Sequence, residues 1–161
     1  MTESSNAPTD RVRVLSSNEE SVRRSEEARR LVGLVLVSHS SKLAAGLREL
    51  LDPLGGGLVR VETAGGSEDG TAEGGLGTSY ERIEAAVAAA DAGAGVLLLP
   101  DLGSSVLTAR LVLADLGRAN AQLVDAPFVE GGVAAVVAAS TGASLADVAA
   151  AAREARTVPK F

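Results

Sequence analysis

The chain is expected to adopt an α/β fold, an open and mainly parallel sheet with helices on both faces. Three observations predict it. Residues 31–37 and 95–99 are apolar runs without polar alternation, the pattern of strands buried on both faces. Segments with helix caps follow each strand-like run, so strand and helix alternate along the chain. Hydrophobic residues make up 46% of the 161 but aromatics only 2%, so Val, Leu and Ala must build the core. Such small side chains suit helices packed closely on a parallel sheet.

The elements follow in order. Residues 1–30 hold six acids, six arginines and few apolar side chains. They are expected to be largely disordered, with transient helix near 19–30. The folded domain is expected over 31–156, with 157–161 as a short tail. The first strand, 31–37, runs into Ser38-His39-Ser40-Ser41 and a hydroxyl-capped helix over about 41–51. Asp52-Pro53 and Gly55-Gly56-Gly57 end that helix. Residues 58–64 make a second strand with partial alternation, and a glycine-rich loop covers 65–77. Thr78-Ser79-Tyr80-Glu81 has the form of a capping box opening a helix to about 90. The third strand, 95–99, turns through Pro100-Asp101-Leu102-Gly103-Ser104-Ser105 into a helix ending near Gly117. Residues 122–125 form a short fourth strand, closed by Pro127. Helices over 130–140 and from a Ser144–Asp147 cap to about 156 complete the domain.

Charge and residue usage exclude several functions. The net charge is −6, and all of it falls on residues 31–161, which hold fifteen acids and nine bases. An acidic domain without a basic stripe is a poor binder of DNA or RNA. There is no cysteine, hence no thiolate chemistry, and a single histidine argues against a protein-held catalytic metal. No apolar stretch approaches the ~18 residues of a membrane span. The N-terminus lacks the apolar stretch of a signal peptide, so a cytoplasmic location is expected.

The single histidine, His39, sits where the first strand hands over to a helix. Such turns lie at the carboxyl edge of the sheet, where open α/β folds bind ligands. The helix starting there offers N–H groups and a partial positive charge to an anion. A neutral imidazole, with a typical pKa of about 6.5, has a free lone pair suited to accept a phosphoryl group. A solvated or capping histidine is the competing reading. If strands one and three are neighbours, Asp101 faces His39 across the crevice and can accept a hydrogen bond from one ring nitrogen. The carboxylate then has to sit behind the ring, because a charge beside the phosphoryl group would repel it. Asp101 can equally serve as a helix N-cap before Ser104. Ser38, Ser40, Gly65, Gly66, Thr78, Ser79, Gly103 and Ser104 gather on the three loops at this edge as candidate phosphoryl- or partner-binding positions. Glu130 reads as a first-turn helix acid. The glycine-rich loop has no Gly-Lys-Ser/Thr ending and no G-x-G-x-x-G, so neither P-loop nor dinucleotide binding is supported. A flexible loop over the site and a plain surface connection both fit it.

The segments VSHSSKLAAGL, the Ala-Gly-Gly…Gly-Thr-Ser loop, DLGSSVLTARLVL and APFVEGGVAAVVAASTGASLADV, in that order over about 31–155, resemble a known family. It is the phosphotransfer subunit (DhaM) of PTS-dependent dihydroxyacetone kinase and, more broadly, the mannose-type EIIA domains. The resemblance implies strand order 2-1-3-4, a homodimer, and a phosphoryl group carried covalently on His39 with no tightly bound cofactor. It implies phosphohistidine-HPr, a separate protein, as donor and ADP on the DhaL subunit as acceptor, the ATP formed there phosphorylating dihydroxyacetone on DhaK. A mannose-type EIIA of a sugar permease and a non-catalytic regulatory or scaffold module are the alternatives. The long glycine-rich loop, Pro100 and the N-terminal extension depart from the family pattern.

Overall fold

The two uninterrupted apolar runs form the middle of the sheet. A computed structural model describes residues 16–28, 30–68 and 75–161. Expectations for residues 1–15, and for 69–74 within the glycine-rich loop, lie outside the described residues. Strands β1 (Gly33–Ser38) and β3 (Val96–Pro100) are buried at every position and pair in parallel, with Leu36 opposite Leu99. Strand β2 (Val61–Gly65) flanks β1, and β4 (Ala121–Leu123) flanks β3, both also in parallel. The sheet order is therefore β2-β1-β3-β4, with the winding direction reversing between β1 and β3.

Side chains of the central strands alternate between two cores because the pleat has a period of two. Leu34, Leu36, Leu97 and Leu99 pack against α2 (Ser41–Leu54), α5 (Phe128–Ser140) and α6 (Leu145–Glu154). Val35, Val37, Val96 and Leu98 pack against α3 (Tyr80–Ala90) and α4 (Gly103–Leu116). Each fully buried Val or Leu contributes on the order of 1.5–3 kcal/mol of apolar burial. A further helix, α1 (Ser17–Ala28), lies in the segment expected to be largely disordered with transient helix near 19–30, and its residues 17–26 are exposed. No helix among the described residues is long and apolar enough to cross a membrane.

Boundaries shift where local chemistry outweighs the breaker signals. The helix expected to stop at 51 continues through Pro53 to Leu54. Its last carbonyls are taken by the amides of Gly56 and Gly57, which bond Pro53 and Asp52 in a Schellman closure. The second strand starts three residues later than expected and extends to Gly65. The expected capping box is out by one residue. Ser79, not Thr78, is the N-cap of α3 and accepts from the Arg82 amide.

Glycine allows the closest helix approach to the sheet. A Cβ on Gly33 would collide with the backbone carbonyl of Ala90 at the end of α3, whereas one on Gly46 in α2 would meet nothing within 4 Å. Gly33→Ala is therefore expected to lower unfolding free energy by about 3 kcal/mol through overpacking. Gly46→Ala should raise it by about 0.5–1 kcal/mol through helix propensity. Chemical denaturation of the two variants checks the opposite signs.

Candidate functional site

Parallel strands with a winding reversal between β1 and β3 place the ends of these strands side by side, and the charged residue following β3 sits against the residues ending β1. Asp101 is the outcome: its carboxylate receives four donors. Ser38 Oγ and the His39 amide bond Oδ2, both at 2.9 Å. His39 Nδ1 at 2.9 Å and the Leu102 amide at 2.7 Å bond Oδ1. Burial pushes the Asp101 carboxyl up. The bonds from the His39 amide and ring, the Ser38 hydroxyl and the Leu102 amide outweigh it, and hold the carboxyl below its ordinary range.

This carboxylate dictates the state of the imidazole. An ionised carboxylate can only accept, so Nδ1 carries the proton and donates it. In the neutral ring Nε2 is then the bare nitrogen and accepts from the Ser104 hydroxyl, 2.7 Å away. Asp101 Oδ1, the ring and Ser104 Oγ form one line from buried to open. The Asp101 side chain is 6% exposed and the His39 side chain 26%, so the Nε2 edge of the ring faces outward. Ser104 lies in the first turn of α4, whose N-cap, Leu102, makes no side-chain cap hydrogen bond. The helix thus presents its positive end beside Nε2. The arrangement can offer a nitrogen lone pair backed by a carboxylate, with a hydroxyl and a helix end beside it.

The other sequence candidates divide by what they touch. Ser38 is fully buried and also accepts from the Ser40 amide at 3.0 Å, so it braces the turn. Ser40 caps α2 by accepting from the Leu43 amide at 3.2 Å. Gly65 is a packing position: a Cβ there would lie 2.7 Å from Ser41 Cα and 2.8 Å from the Ser40 carbonyl oxygen. The Gly66 amide donates to the Ser38 carbonyl at 3.0 Å. Gly103 begins α4 with open space around it. The hydroxyls of Thr78 and Ser79, read from sequence as offered to a ligand, are engaged within the chain. Thr78 Oγ1 bonds Thr108 Oγ1 at 2.8 Å, while Ser79 Oγ caps α3 and reaches Glu81 at 3.2 Å. Glu130 pairs with Lys160 at 2.8 Å, away from the histidine.

Sequence reasoning missed three contributors. The Gly77 amide donates to the His39 carbonyl at 2.9 Å, which ties the far end of the glycine-rich loop to the site. Arg82 bonds the Gly65 carbonyl at 2.8 Å and Glu68 at 2.9 Å, fixing the near end. Thr108 shares a hydroxyl–hydroxyl hydrogen bond with Thr78. Its spacing of four residues from Ser104 on one helix face was the available signal.

Comparisons with known proteins add to this geometry. A family model described as the PTS system fructose IIA component matches residues 33–149. The phosphoryl donor subunit DhaM of the PEP-dependent dihydroxyacetone kinase of Providencia stuartii is 35% identical over 123 residues, which cover 73% of this chain and 25% of that protein. The corresponding DhaM subunit of dihydroxyacetone kinase 2 of Listeria innocua is 33% identical over 110 residues, covering 66% of this chain and 85% of that protein. The chain thus spans a quarter of the first relative's length and most of the second's. Among solved structures, the crystal structure of unknown function protein EF1359 superposes with a TM-score of 0.66 at 30% identity, covering 77% of this chain and 94% of that one.

A carboxyl held below its ordinary range in the folded state stabilises the fold wherever it is ionised. That contribution is complete above the unfolded value of about 3.9 and is lost as pH falls through the lower folded value. Asp101→Asn should therefore cost about 2 kcal/mol at pH 7, with the gap to wild type closing in acid. Thermal melts between pH 7 and pH 2.5 check it; a gap independent of pH would refute the linkage.

Proposed function

We propose that this chain, which belongs to the PTS system fructose IIA component family, is a phosphocarrier that loads His39 at Nε2. The observation that carries the reading is the Asp101–His39–Ser104 line, which leaves one nucleophilic nitrogen exposed beside a helix N-terminus. Phosphohistidine-HPr is the proposed donor. ADP held by a DhaL subunit is the proposed acceptor, and the ATP formed there phosphorylates dihydroxyacetone on DhaK. The names of the Providencia and Listeria relatives, both phosphoryl donor subunits of dihydroxyacetone kinases, support that choice.

The chemistry needs little beyond positioning and charge. The Nε2 lone pair attacks phosphorus in line as the donor's P–N bond breaks, and that electron pair returns to the donor imidazole. His39 keeps its Nδ1 proton, so the phosphorylated ring is cationic. The Asp101 carboxylate, on the far side of the ring from the phosphoryl group, balances that charge. The Ser104 hydroxyl must leave the Nε2 lone pair before attack and can then donate to a phosphoryl oxygen. Transfer onward repeats the displacement, with the acceptor's terminal phosphate oxygen as nucleophile. The phosphoryl group is held covalently, and no cofactor enters the scheme. We place the protein in the cytoplasm as a homodimer, beside the donor and the kinase subunits.

The description of the matching family favours a second reading, a IIA component passing phosphoryl to a IIB domain of a sugar permease. The two acceptors separate the readings: labelled chain should discharge to DhaL–ADP and not to a IIB domain. Incubation with radiolabelled phosphoenolpyruvate, enzyme I and HPr should label wild type and leave His39→Ala at least ~10³-fold less labelled, as loss of a covalent nucleophile demands. The adduct should be labile in acid and stable in alkali. Label persisting in His39→Ala would overturn the assignment, and no label on wild type would favour a non-catalytic regulatory module.

A further inference from the structure

We infer that Thr108 is a positioning residue for phosphoryl transfer, keeping the first turn of α4, and with it the Ser104 hydroxyl, beside His39 Nε2 through its hydrogen bond to Thr78. The inference rests on the Nε2 reading above. Two separate segments grip His39. Gly77 holds its carbonyl from the loop side at 2.9 Å, and Ser104 holds its ring from α4 at 2.7 Å. Thr78 is the residue after Gly77, and Thr108 lies one helical turn beyond Ser104 on the same face of α4. The 2.8 Å bond between their hydroxyls joins the two grips into a closed ring of contacts. The far end of the loop and the first turns of α4 are thereby linked.

The N-terminal half of α4 has need of such a tie. Its fully buried residues there are Ser105 and Ala109, Val106 is half-buried, and the first sizeable fully buried side chain is Val112, in the third turn. Burial of a hydroxymethyl, a methyl and part of one valine supplies little to fix the first turns. The exposed Leu107 and Leu111 add nothing to the core. A cross-tie at Thr108 therefore sets where Ser104 sits, and with it whether its hydroxyl, once turned off the lone pair, reaches an oxygen of the phosphoryl group arriving at Nε2. Ser104 touches the reacting atom, while Thr108 acts through it.

Thr108→Val keeps the shape and removes the bond. In the full chain, loading from phosphohistidine-HPr followed by rapid quench should be about five- to tenfold slower for Thr108→Val, the loss expected for one hydrogen bond. Thr108→Ser should restore the wild-type rate. The His39 Nε2 resonance in ¹⁵N NMR should move in Thr108→Val and stay in place in Thr108→Ser, a change that a general loss of stability does not produce. Thr78→Val should slow loading equally, and the double variant should be no slower than either single. In a Ser104→Ala background, Thr108→Val should have no further effect. Wild-type rates in Thr108→Val, or losses that multiply in the double variants, would overturn the role of Thr108. Failure of wild type to load at all would instead remove the reading on which it rests.

Discussion

Four donors converge on one carboxylate, and the geometry around the histidine follows from that convergence. Asp101 gathers the Ser38 hydroxyl, the His39 amide, the His39 ring and the Leu102 amide within 2.7–2.9 Å. Two come from the end of β1, the third is the ring it orients, and the last comes from its own loop. The ends of the two central strands are thereby joined by a single charged group. The same bonds that keep Asp101 ionised also fix the ring's tautomer. Structure and reactivity rest on one group here: a neutral residue at 101 would loosen the strand ends and release the imidazole together.

The fold exists in a form that allows this because its core is made of small side chains. With aromatics at 2% of the chain, helices lie close on the sheet, and glycine removes the last atoms in the way. Gly33 lets α3 end against β1, and Gly65 lets the start of α2 approach the end of β2. The first approach lies at the amino edge of the sheet, where β1 begins. The second lies at the carboxyl edge, where Gly65 is opposite Ser38, and brings the capped first turn of α2 close to His39. A bulkier core would have pushed the same loops apart.

The central strands were legible in the sequence because burial on both faces leaves a continuous apolar run that few other structures require. Ser40 and Ser144 were legible as caps because each precedes an alanine- and leucine-rich helix. Thr78 and Ser79 were not resolvable, since adjacent hydroxyl residues can both cap a helix. The choice between them fell to Thr108, a partner thirty residues away whose position only tertiary packing decides. The extension of α2 through Pro53 was likewise hidden, because the closure that permits it comes from glycines read as a plain stop. His39 and Asp101 could be paired from sequence only on the assumption that strands one and three are neighbours, and the parallel pairing of β1 with β3 meets it. The proton on Nδ1 and the hydroxyl on Nε2 depend on distances that no sequence pattern encodes.

The central claim is that Asp101 reserves Nδ1 for its proton and so directs chemistry to Nε2. A ³¹P–¹⁵N correlation spectrum of the loaded, ¹⁵N-labelled chain tests it most directly. Phosphorus coupled to Nε2 of His39, with Nδ1 still protonated, is the predicted result. Phosphorus on Nδ1, or on any residue other than His39, would contradict the account.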